Sequence, residues 1–271
     1  MNQQDRSIIR DLALQTQAYA MSEQMNERRR LWTRHNSLRF SRPLVYIRAI
    51  PVDEVIDTTA LRCGDPYARH LEKQFLLNNY RMQLADDTII EPFLTVPAAL
   101  ATSPLGIYGV PARMGEKPVA GGAAAFHASI LHEEDIDRII VADYQVDEAE
   151  TALRYERLAD LVGGILPVEV DRQGSLCAMW ANDLSTLLAQ MRGLEQLMWD
   201  VYDRPEWLHG LLQKMQASIL KQIDQTEKAD GFRLINHQNQ AMPYACELAP
   251  PKAGAEPVSK RQLWGFMAAQ E

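Results

Sequence analysis

Cysteine is scarce in this chain. Cys63, Cys177 and Cys246 are odd in number, far apart and form no CxxC pair. That argues against a disulfide framework and for a reducing, cytoplasmic setting, with thiols buried and inert. Long apolar runs are missing too. No stretch of about 18 apolar residues exists to span a membrane, and the opening MNQQDRSIIRD has no apolar signal-peptide segment. Positive charge is in deficit, with 28 Lys and Arg against 36 Asp and Glu, a net charge of -8. Broad nucleic-acid binding needs cations to displace phosphate counterions, so no nucleic-acid partner is expected. An anionic membrane surface is disfavoured for the same reason. Gly121-Gly122 lacks the lysine and hydroxyl of a phosphate loop, and no GxSxG nucleophile elbow occurs.

What remains is an ordinary globular composition, 46% hydrophobic and 24% charged over 271 residues. Residues 5–34 have helical periodicity, and Ser22-Glu23 is a candidate cap that divides them into two helices. Leu44–Ile50 (LVYIRAI), between two prolines, reads as a strand buried on both faces, interrupted by Arg48. Asp65-Pro66 opens a helix, with Asp as N-cap and Pro at the first position. Thr88–Glu91 reads as a second strand, stopped by Pro92. Residues 101–126 are rich in Gly, Pro and Ala and read as a long loop. A helix follows Asp147, with Leu153, Leu158 and Leu161 inward, and Gly163-Gly164 ends it. Ile165–Val170 reads as a third strand and Leu184–Met198 as one helix. Asp203–Pro205 introduces a long helix with Leu208, Leu211, Met215 and Ile219 on one face. Phe232–Asn236 reads as a fourth strand.

Strands alternating with helices imply parallel pairing. A closed barrel needs eight such units, and four are counted here. The expectation is an α/β fold of the (β/α)8 TIM-barrel type. It comprises an N-terminal helical extension (1–42) and a partial barrel (43–271), cut after about four strands.

The stretch MRGLEQLMWDVYDRPEWLHGLLQKM (191–215) resembles the uroporphyrinogen decarboxylase superfamily, with Gly193, Glu195, Asp203, Pro205 and Glu206 standing for its glycine-x-glutamate and aspartate-proline-glutamate helix pair. DDTIIEPFLTVPAAL (86–100) and RPLVYIRAIP (42–51) extend the likeness, and RRRLWTRHNSL with HQNQAMPY (237–244) resembles a less characterised branch of it. The resemblance implies an α/β barrel that continues past residue 271. It also implies either tetrapyrrole decarboxylation or corrinoid-dependent methyl transfer, in some members with zinc.

For decarboxylation, Arg48 matches the projecting arginine of the first strand. The second-strand aspartate position is held by Pro92, with Glu91 adjacent. Glu91 is either a site carboxylate or a strand-end group paired to an arginine. A zinc site in this group needs a His-x-Cys pair, whereas His237 is followed two places on by Asn239. Zinc is expected only if ligands lie beyond residue 271.

HQNQ (237–240) follows the fourth expected strand, at the mouth where barrel sites are built. His237 is the candidate proton-transfer residue, working with Glu91. Arg48, Asn236, Gln238 and Asn239 are candidate substrate ligands, as are Asp171 and Arg172, which are also candidates for an ion pair. Arg28–Arg30 read as a solvated helix face and His35-Asn36 as a helix C-cap. His127, His70 and His209 read as structural, and Met191, Met198 and Met215 as core.

The expected activity is methyl transfer between a small substrate and a corrinoid on a partner protein. The alternatives are a decarboxylase or lyase acting on an acidic, tetrapyrrole-like substrate, and a non-catalytic half-barrel subunit that forms a homo-oligomer.

Overall fold

The computed structural model describes residues 2–47, 50–101, 108–111, 113–115, 124–174, 184–235 and 243–263. The fold is mixed α/β and divides into two compact units, one built from Met1–Ala98, Glu148–Asp171 and the chain from Arg233, the other from Ala99–Asp147 and Arg172–Phe232.

In the first unit, α1 (Gln3–Ala20) starts where the Asn2 side chain accepts from the Asp5 amide. Ser22 then caps α2 (Glu23–Asn36) by accepting from the Met25 amide. One-turn α3 (Val52–Val55) precedes α4 (Pro66–Leu84). The Asp65 carboxylate accepts from the Tyr67 and Ala68 amides, each at 3.0 Å, two of the donors left unpaired at any helix start. Residues 1–42 thus lie in the same unit as the strands that follow. The apolar stripe of α1 (Ile8, Ile9, Leu12, Ala13) shares one core with Ala68, Leu71 and Phe75 of α4.

The same core takes Leu158, Leu161 and Val162 from α5 (Glu148–Val162). Gly164 follows that helix at φ +79°, the left-handed turn expected of the Gly-Gly pair. Leu153 points to solvent instead of inward. Strand β1 (Leu94–Pro97) pairs in parallel with β6 (Val168–Asp171), from Leu94 opposite Val168 to Pro97 opposite Asp171. A parallel pair requires a crossover, and α5 packs on both strands.

Three expected strands form no ladder among the described residues. Thr88–Glu91 is not a strand; the ladder begins after Pro92, at Leu94. Carbonyls of this stretch are taken by side chains: Arg28 donates to Thr88 at 2.8 Å, Trp32 to Asp87 at 2.7 Å and Arg29 to Ile90 at 2.9 Å. Residues 44–47 form no strand either. The Asp87 carboxylate accepts from the Val45 amide at 2.8 Å, and the Asp86 carboxylate accepts from the Ile47 amide at 3.1 Å. Both aspartates are buried. Carboxylates stand where a neighbouring strand would have supplied carbonyls. Residues 232–235 likewise lie outside any strand. Ile235 joins a small core with Phe93 and Ala255.

The second unit has two short antiparallel pairs, β2 (Ala99–Leu100) with β5 (Val146–Asp147) and β3 (Arg113–Met114) with β4 (Phe126–His127). Its helices are α6 (Leu184–Arg192), α7 (Leu194–Asp203) and α8 (Pro205–Lys228). The single helix expected over Leu184–Met198 is broken at Gly193. Its φ of +84° is a conformation that side-chain-bearing residues avoid. Leu188 and Met191 meet Leu208, Leu211, Met215 and Ile219 of α8 in the core. Met198, expected in the core, is exposed.

Candidate functional site

Helix α2 turns charge inward. Met25, Arg28 and Trp32 recur at helical spacing and are its buried residues. Arg28, expected in a solvated face, is buried because its guanidinium finds the Thr88 carbonyl. Arg29 is mostly buried as well. Arg30 alone of the three is solvated, paired with Glu23 and Glu27.

Arg29 brings the helix to Glu91. Its Nη2 lies 3.8 Å from Glu91 Oε2, and its Nε donates to the Tyr244 hydroxyl at 3.2 Å. That hydroxyl in turn donates to the Glu91 carboxylate, 2.8 Å from Oε1 and 2.9 Å from Oε2. Asn36 Nδ2 donates to the Tyr244 carbonyl at 2.9 Å, so the Asn36 side chain pins the tyrosine rather than capping α2. Burial pushes the Tyr244 phenol up from the ordinary tyrosine value; the Glu91 charge and hydrogen bond add to this, while Arg29 opposes it. The phenol is therefore a fixed neutral donor at physiological pH. The Glu91 carboxylate accepts from that donor and faces a cation.

Of the residues singled out in the sequence, Glu91 is thus held by Tyr244 and faces Arg29, outside any strand. Asp171 ends β6, where its carbonyl accepts from the Ala98 amide at 2.8 Å. The Arg172 carbonyl accepts from the Tyr144 hydroxyl at 2.7 Å. Arg48, Asn236, His237, Gln238 and Asn239 lie outside the described residues, as does Gln240. Tyr244, the last residue of HQNQAMPY, is described, and its hydroxyl bonds Glu91.

Tyr244, Arg29 and Asn36 were missed as site residues. The seven-residue spacing of Met25 and Trp32 is the one sequence signal that this side of α2 faces inward. His127, His70 and His209 are exposed, on β4, α4 and α8. The Cys63 thiol is pushed up to about 12, first by burial and then by Glu72, so it stays protonated and unreactive. Cys246 is exposed and Cys177 lies outside the described residues. Among the described residues, no three His, Cys, Asp or Glu side chains gather to hold a metal ion.

No family model, curated protein or solved structure matches this chain.

Proposed function

We propose that this chain belongs to an α/β-barrel enzyme like those of the uroporphyrinogen decarboxylase superfamily, and that it transfers a methyl group between a small substrate and a corrinoid carried by a partner protein. One observation carries the reading. Tyr244, from HQNQAMPY, hydrogen-bonds Glu91, from DDTIIEPFLTVPAAL, so two separate segments of the resemblance meet at one carboxylate. The parallel β1–β6 pair with α5 packed on both strands supports the (β/α)8 part of the reading.

The corrinoid is the partner's cargo and enters as a substrate. Glu91 would accept or return the proton of the group that gains or loses the methyl, with His237 as the second proton carrier. Tyr244 and Arg29 would hold the Glu91 carboxylate in place. Arg48, Asn236, Gln238, Asn239, Asp171 and Arg172 are the proposed substrate ligands. No step is assigned to zinc, because His237 is followed two places on by Asn239 where the resemblance calls for a cysteine.

The test is spectroscopic. Protein mixed with cob(I)alamin and a panel of methyl donors should convert the cob(I)alamin absorbance to that of methylcobalamin, and Glu91→Gln should slow the conversion by about 10²–10⁴-fold. An unchanged spectrum with every donor, together with no affinity for a corrinoid protein, would sink the proposal.

A further inference from the structure

Helix α7 is inside out. A surface helix normally turns its apolar stripe to the core and its charges to water. Here Asp200 is buried against Arg192, while Leu194, Met198, Val201 and Tyr202 face solvent. These four recur at i, i+4, i+7 and i+8 and so form one stripe. Trp199 flanks it. Tyr202 is 84% exposed, Met198 67% and Trp199 59%. Only Leu197 reaches the adjoining core from the apolar residues of this helix.

Size decides what such a face means. Five large side chains, each more than half exposed, present on the order of 700 Å². The largest apolar patch on a typical monomer is about 300–600 Å². One partner's share of a stable interface is about 800 Å². The stripe with its rim therefore supplies what one side of a dimer needs.

We infer that α7 is the centre of a symmetric homodimer interface, packed antiparallel against α7 of a second copy. The register follows from the residues. With Met198 on the two-fold axis, Leu194 of each copy meets Tyr202 of the other. Asp203 lies on the side of the helix turned away from the stripe. No carboxylate faces a carboxylate. A parallel arrangement would set Glu195, at the edge of the stripe, against Glu195, and the two repel. An isologous contact of this kind closes on itself and leaves no apolar stripe free. The inference is independent of the reaction proposed above.

Light scattering on the intact chain at micromolar concentration tests it. The expected mass is twice that of one chain. Met198→Glu places two carboxylates on the axis and should raise the dissociation constant about a hundredfold or more, with the circular dichroism spectrum unchanged because Met198 is exposed. Met198→Lys should do the same, and mixing the two variants should restore a dimer, now a heterodimer. A monomeric wild type at 100 µM overturns the inference. So does a Met198→Glu variant that stays dimeric, or a Glu and Lys pair that fails to recombine.

Discussion

At the scale of single residues, the chain replaces missing backbone partners with side chains. Arg28, Arg29 and Trp32 donate to the carbonyls of residues 87–90, and Asp86 and Asp87 accept the amides of residues 45 and 47. Tyr244 does the same for the Glu91 carboxylate. Tyr244→Phe would leave that carboxylate without its hydroxyl donor, and a buried acceptor losing its donor costs about 1–3 kcal/mol. Urea denaturation at pH 7 should show that loss.

The sign of the pH dependence follows from the raised phenol. The folded state keeps the Tyr244 proton above about pH 10, where the tyrosines of an unfolded chain release theirs. The stability contributed by this group is thus complete below pH 10 and is lost as pH rises beyond it. The gap between wild type and Tyr244→Phe should narrow above pH 10. A gap that widens there would contradict the buried Tyr244–Glu91 contact.

At the scale of elements, α6 and α7 are joined by charge rather than by apolar packing alone. Arg192 Nε donates to Asp200 Oδ2 at 2.5 Å, and the Arg192 Nη1 donates to the carbonyls of Ile130 and Leu131. The guanidinium also stacks 4.8 Å from the Trp207 ring centroid. Burial pushes the Asp200 carboxyl up, but its bonds to Arg192 and Gln196 outweigh that and hold it below the usual carboxylate range. Removing one partner strands a buried charge. Arg192→Met should cost about 3–5 kcal/mol, whereas Arg192→Met with Asp200→Leu should cost far less, because replacing both charges by apolar groups is often neutral. A double-mutant cycle in urea checks this. Equal losses in the single and double variants would mean that the stacking and carbonyl contacts, not the ion pair, carry the stability.

At the scale of the whole molecule, the two largest apolar cores among the described residues have no residue in common. One is centred on Ile9 and Leu161, the other on Leu211 and Met215. Ile9→Ala and Leu211→Ala should each cost about 2–5 kcal/mol. Their effects should add to within about 0.5 kcal/mol if the cores are energetically separate. A larger departure from additivity would show that the units stabilise one another.

Much of the helical framework was legible in the residues alone. Asp65-Pro66, Ser22, Gly163-Gly164 and Asp203–Pro205 mark helix ends through local chemistry, because a cap or a left-handed turn depends on a few neighbours along the chain. The apolar stripes of α1, α4 and α8 were readable for the same reason: a 3.6-residue period is a local property. The general α/β character was readable too, but only the third expected strand overlaps an observed one, and its parallel partner Leu94–Pro97 was not anticipated. Glu91 could be named as a candidate.

Tertiary structure decided the rest. A strand exists only if another segment meets it with free carbonyls and amides. Between residues 44–47 and 86–91 a backbone bond forms from the Asp87 amide to the Val45 carbonyl at 2.7 Å, and side chains take the neighbouring groups, so no ladder develops. The inward turn of Arg28 and Arg29 and the outward turn of Met198 and Tyr202 depend on what lies opposite each helix face. The meeting of Tyr244 with Glu91 joins residues 153 positions apart. No local pattern encodes such a contact, because it forms only when distant parts of the chain pack together.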